Sequence, residues 1–206
     1  MKRKIAASRS HSEDGASQPC LPGFEIDRLD NLLFAICPDE NEASCVEKLT
    51  LQMQNELMLR GQSLGEGCFH LSIFGLGVYH TVPRSVVDRA CDAARLVKTQ
   101  PFEIGFDRVM SFRHAGGKQP LVLLCGKGAD ELRDFRHELG MAMKRSGLFR
   151  YARGSFTPHV TMLYDWKTVP ERKIEPIVWK VHGLVLIHSL YGQHHHNRLA
   201  HWPFGE

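Results

Sequence analysis

The sequence predicts an α+β fold, and three observations carry that prediction. Three stretches space their apolar residues by three and four, which marks amphipathic helices. Short runs rich in Val, Ile, Leu and Phe stand between and after them and read as strands. The order is strand, helix, strand, helix, strands, helix, strands, which points to antiparallel or mixed sheets backed by helices.

The elements follow in order. Residues 1–24 are polar, small and basic and read as a disordered tail, leaving residues 25–206 as one folded domain. The tail has no apolar core of the kind a secretory signal or membrane anchor needs. Asn31 to Ile36, NLLFAI, is a strand closed by Cys37-Pro38. From Asn41 to Arg60, Ala43, Val46, Leu49, Met53 and Leu57 form one helical face. The glycine-rich GQSLGEGC loop leads into FHLSIFGL, a buried strand. A second helix runs from Pro83 to Lys98 with Val86, Ala90, Ala94 and Val97 inward.

Strands over Phe102–Arg113 and Gln119–Cys125 meet at a turn through Ala115-Gly116-Gly117. A third helix spans Asp130–Arg145, with Leu132, Phe135, Leu139 and Met143 on one face and Gly147 as its stop. FTPHVTMLYD is a strand entered through a proline, and further strands lie over Ile177–Val181, Leu184–Leu190 and Arg198–Trp202.

Composition bounds the function loosely. A net charge of +3 permits an anionic ligand without indicating a nucleic-acid coat. The six cysteines show no CxxC pairing and read as reduced, mostly buried thiols. No stretch is long and apolar enough to span a membrane, so the expected location is cytoplasmic.

Two strands share a pattern. His70-Leu71-Ser72 and His159-Val160-Thr161 each place an imidazole two residues before a hydroxyl, and the histidines lie 89 residues apart. The bare pattern occurs by chance about once in a chain of this composition, so context decides its weight. On a strand, alternation turns His70 and Ser72 to one face while Phe69, Leu71 and Ile73 take the other. The same alternation separates His159 and Thr161 from Val160 and Met162. Strands lying side by side would then gather two imidazoles and two hydroxyls in one cleft. That set suits displacement at phosphorus, with one ring taking a proton, the other giving one, and the hydroxyls holding the phosphate. The plain alternative for each histidine is a partly buried, hydrogen-bonded strand residue.

At these residues the chain resembles the two-histidine (2H) phosphoesterases, in the branch of RNA 2′,3′-cyclic phosphodiesterases and 2′-5′ RNA ligases. Their hallmark is a pair of H-x-[ST]-x strands, one from each lobe of a pseudo-twofold bilobal fold. Here these are His70-Leu71-Ser72-Ile73 and His159-Val160-Thr161-Met162, the second inside Phe156-Thr157-Pro158-His159. LLFAICPDE resembles the first strand of that family, and the segment from Leu184 to Phe204 its last strands. The first motif departs mildly, with Ser72 where Thr is commoner.

The resemblance implies an enzyme without cofactor or metal that opens a cyclic phosphodiester, an RNA 2′,3′-cyclic phosphate giving a 2′-phosphate. It implies His70 as acid to the leaving 3′ oxygen and His159 as base, although the residues leave that order open and ligation exchanges the roles. The expected partner is an RNA end or a small cyclic nucleotide, with no membrane and no obligate protein partner, and the chain is expected to be a monomer. The other readings are a 2′-5′ RNA ligase and a noncatalytic RNA- or nucleotide-binding module on the same fold.

Three further residues are candidate substrate contacts. Arg150 and Arg153 precede the second motif and read either as phosphate ligands or as solvated loop charges. Tyr191 reads either as a stacking platform for a base or as core. His194, His195 and His196 read as a solvated turn rather than a metal site, because adjacent strand residues face apart and no acidic or cysteine partner stands at ligand spacing.

Overall fold

The computed structural model describes residues 29–113, 115, 117–190 and 195–205. The expected tail at 1–24 lies outside them. Eight strands form one sheet in the order β6-β3-β4-β5-β2-β1-β7-β8, every recorded pair antiparallel. The strands are β1 (Asp30–Ile36), β2 (Leu71–Tyr79), β3 (Phe102–Ser111), β4 (Gln119–Cys125), β5 (His159–Asp165), β6 (Arg172–Val181), β7 (Gly183–Leu190) and β8 (His195–Pro203). The helices are α1 (Glu40–Leu57), α2 (Arg84–Arg95) and α3 (Ala129–Arg145).

The sheet is two four-stranded halves, β6-β3-β4-β5 and β2-β1-β7-β8, meeting at the backbone pair Leu71↔Val160. Between β4 and β5, and between β1 and β2, many residues pair, but only this pair joins β5 to β2. β5 and β2 therefore pair only beside the two motif histidines, and further along β5 is met by Ser63 and Leu64 instead. The halves are tied again behind the sheet, because each half's helix reaches the other half.

α1 starts with a capping box: Asp39 accepts from Glu42 N–H at 2.8 Å and Glu42 accepts from Asp39 N–H at 2.9 Å. The second oxygen of Glu42 accepts from Lys180 N–H on β6 at 2.5 Å, so the cap residue also anchors the helix to the opposite half. α3 carries Asp130 and Glu131 in its first turn and Lys144 and Arg145 in its last, which complements the helix dipole. The apolar faces of the helices join Phe34, Leu71, Phe106, Leu123, Val160 and Trp179 in one continuous core.

Two strands begin well before their predicted first residue. β6 begins at Arg172 rather than Ile177, across Pro176. Proline lacks an N–H for the ladder, but β6 is an edge strand and a register shift opposite Phe106–Arg108 absorbs the interruption. β8 begins at His195 rather than Arg198, paired along β7 from Leu190. Of the five described cysteines, none disulfide-bonded, Cys68 and Cys125 are buried while Cys45 is exposed. No described helix is long and apolar enough to cross a membrane.

Candidate active site

The two histidines are held in the same way. His70 follows a 3-10 turn (Glu66–Cys68) and its Nδ1 lies 2.8 Å from the Cys68 carbonyl. His159 follows Thr157-Pro158, and its Nδ1 lies 2.7 Å from the Thr157 carbonyl. A carbonyl only accepts, so each Nδ1 carries the proton and Nε2 remains as the nitrogen that can take or give one. Buried Pro158 fixes the entry to β5, and its carbonyl accepts from Cys125 N–H at 3.1 Å.

Between the halves runs a cleft of about 1100 Å³. His70, Ser72, His159 and Thr161 all line it, together with Arg150, Tyr151, Tyr164 and His196. The four motif side chains share this cleft, with Leu71, Val160 and Met162 fully buried behind them, but His70 stands just before β2, which begins at Leu71 and not at Phe69 as expected. A bulge of β5 between Thr161 and Leu163 brings Tyr164 to the same side, where its hydroxyl is hydrogen-bonded to Thr161.

The surroundings of the two rings differ. Burial pushes the His70 imidazole below its ordinary pKa; the Cys68 carbonyl works against that shift and His159 adds to it. Burial thus favours the neutral form of this ring. Each ring also has an edge-to-face aromatic neighbour: His196 on His70, with centroids 4.8 Å apart, and Phe112 on His159 at 4.9 Å.

Arg150 donates to the Tyr151 hydroxyl and lies 4.5 Å from the centre of that ring. Tyr151 and Tyr79 hydroxyls are 2.7 Å apart, and Tyr79 donates to the Leu76 carbonyl at 2.5 Å. Burial, reinforced by the Tyr151 hydrogen bond, pushes Tyr79 up to about 12, so it stays a donor. Gly77 makes this possible: its φ is 115° and a Cβ there would stand 2.6 Å from the Tyr79 hydroxyl.

A model of the 2′-5′ RNA ligase superfamily matches residues 39–192. The chain belongs to the 2′-5′ RNA ligase superfamily. Solved structures agree on the fold. TT0787 of Thermus thermophilus superposes with a TM-score of 0.67 at 15% identity, over 84% of this chain and 97% of that one. Apo LigT of E. coli gives 0.62 at 18% identity, over 87% and 99%. LigT in complex with 3′-AMP gives 0.60 at 18% identity, over the same shares. No curated protein matches the sequence. The fold of this superfamily member is therefore the antiparallel 2H phosphoesterase type predicted, with its helices outside the sheet.

Of the two readings of Arg153, the exposed side chain, 5.9 Å from the Phe149 ring, matches the solvated loop charge. One sequence reading needs correction. His196 is not part of a solvated turn but a β8 residue paired with Ser189 and packed on His70. The histidine run hid it, because three polar neighbours read as a loop. His194 and Tyr191 lie outside the described residues, as does the His195 side chain. Tyr151, Tyr164 and Phe112 carried no sequence signal beyond being aromatic.

Proposed function

We propose that this superfamily member hydrolyses a cyclic phosphodiester, an RNA or nucleotide 2′,3′-cyclic phosphate, to a 2′-phosphate by histidine acid–base catalysis. The observation that supports it most is the matched pair of Nδ1–carbonyl hydrogen bonds, which leaves Nε2 of both rings as the working nitrogen in one cleft. A protein that only bound nucleotides would have no use for two imidazoles fixed in the same tautomer.

In this reading a water attacks phosphorus opposite the 3′ oxygen. One ring takes the water proton and the other protonates O3′ as the P–O3′ bond breaks, leaving the phosphate on O2′. Ser72 and Thr161 donate to the nonbridging oxygens, where negative charge builds up. The free site favours a neutral His70, which is the state of the base, and leaves the acid to His159. This reverses the order that the family resemblance implies. Arg150, tied to Tyr151 at the cleft wall, supports the phosphate or the strand beyond it.

The superfamily's description keeps 2′-5′ ligation as a second reading, since the reverse reaction needs the same groups. LigT, whose complex with 3′-AMP has this fold, makes nucleotides the natural first probes. Nucleoside and oligonucleotide 2′,3′-cyclic phosphates incubated with the chain in EDTA, with products read by phosphorus NMR, test the proposal. A single 2′-phosphate product supports it. A 3′-phosphate, or no turnover with any cyclic ester, contradicts it, and joining of a 5′-hydroxyl RNA to the cyclic end identifies the ligase.

A further inference from the structure

The two motif strands share one backbone pair at the junction, yet their histidines must face each other across a cleft to act together. One side chain outside the cleft touches both approaches. Arg136 on α3 donates from Nε to the Ile73 carbonyl at 3.2 Å, one residue past Ser72 on β2. Its Nη2 donates to the carbonyls of Gly154 at 3.3 Å and Arg153 at 3.5 Å, in the loop that delivers His159. The guanidinium also lies 4.3 Å from the centre of the Phe74 ring on β2 and 4.8 Å from that of Phe156 in the loop.

α3 connects β4 to β5, so this helix belongs to the second half while Ile73 and Phe74 belong to the first. One turn along, Gly140 lets the helix come close, since a Cβ there would stand 3.2 Å from the Phe74 ring. Phe156 directly precedes Thr157, whose carbonyl holds the His159 Nδ1–H. A flat guanidinium with donors on two edges fits between two rings and three carbonyls, which a lysine ammonium cannot do.

We infer that Arg136 is a positioning residue that fixes the His159 loop to the His70 strand from behind the sheet. It touches no substrate. Its effect on turnover rests on the function proposed above, but its effect on the His159 ring does not.

The test uses Arg136→Met and Arg136→Lys in the full chain, with Arg133→Met, an exposed neighbour paired with Asp130, as control. Imidazole nitrogen NMR reports the tautomer of each ring without any substrate. At alkaline pH, with both rings neutral, the wild type is expected to carry the ring proton on Nδ1 in both. The expected result for both Arg136 variants is loss of the single Nδ1–H tautomer at His159 while His70 keeps it. On cyclic-phosphate substrates kcat falls up to ~10²-fold with KM little changed, as for a misplacement near 1 Å. Unchanged tautomers in Arg136→Lys and Arg136→Met, or equal loss at both histidines, overturn the inference. A wild type that fails to turn over cyclic phosphates overturns the function and leaves the tautomer result to decide on Arg136.

Discussion

Leu71 and Val160 are backbone partners, both fully buried, and each directly follows a motif histidine. The pair that joins the half-sheets is thus one residue from both working side chains, and packing there sets the separation of the rings. Leu71→Ala should cost about 2–5 kcal/mol, the usual range for an unrelaxed core cavity, measured by urea unfolding. A loss below 1 kcal/mol would mean that the junction is not packed as described.

The depressed pKa of His70 has a definite sign in the pH profile. A base held below its ordinary value stays neutral until the pH falls under that value. The acidic limb of kcat/KM, where His70 takes its proton, should therefore be centred below the ordinary histidine value of ~6.5. The same shift makes folding sensitive to acid. Protonation favours the unfolded chain, so stability present above the unfolded histidine pKa is lost as pH falls through the folded one. An acidic limb centred above 6.5 would rule out His70 as a base desolvated in this way.

The hydroxyls should act on rate rather than stability. Thr161→Val keeps the shape and removes the donor, and Ser72→Ala does the same at an exposed position. Each should lower kcat about 10²–10³-fold, as for loss of one donor to a developing oxyanion, with the melting temperature nearly unchanged. Losses under threefold for both would remove the hydroxyls from the mechanism.

Asp165 closes β5 and accepts from the N–H groups of Arg60, Gly61 and Lys167 at 2.5, 2.6 and 2.7 Å. Gly61 is required there, because a Cβ would stand 2.1 Å from the Tyr164 carbonyl oxygen. Burial raises the Asp165 carboxyl, but the three N–H bonds outweigh it and hold the pKa below the ordinary value. Its contribution is therefore present above the unfolded pKa near ~3.9 and lost as pH falls through the lower folded value. Asp165→Ala should cost about 1–3 kcal/mol in urea unfolding at pH 7, because it orphans buried donors. A variant as stable as the wild type would show that water replaces the carboxylate.

Much of this site was legible in the sequence because strand alternation is local. His70 with Ser72, and His159 with Thr161, are separated from Leu71 and Val160 by a period of two, which needs no tertiary knowledge. Long-range register was not legible. His196 reaches His70 through the β7–β8 pairing, and nothing between Ser189 and Arg198 in the sequence states that pairing. The start of β6 is not legible either, because Arg172 and Lys173 are charged and Pro176 interrupts a ladder unless the strand lies at an edge. Arg136 escaped because its acceptors are main-chain carbonyls, which every residue offers.

The most direct test of the two-histidine mechanism is kcat/KM on a nucleoside 2′,3′-cyclic phosphate, in EDTA, for His70→Ala, His159→Ala and the double variant. If the rings act in one transition state, each single variant loses at least ~10²-fold, and the double loses little more than the worse single. A single variant that keeps activity within a few-fold of wild type would contradict the mechanism.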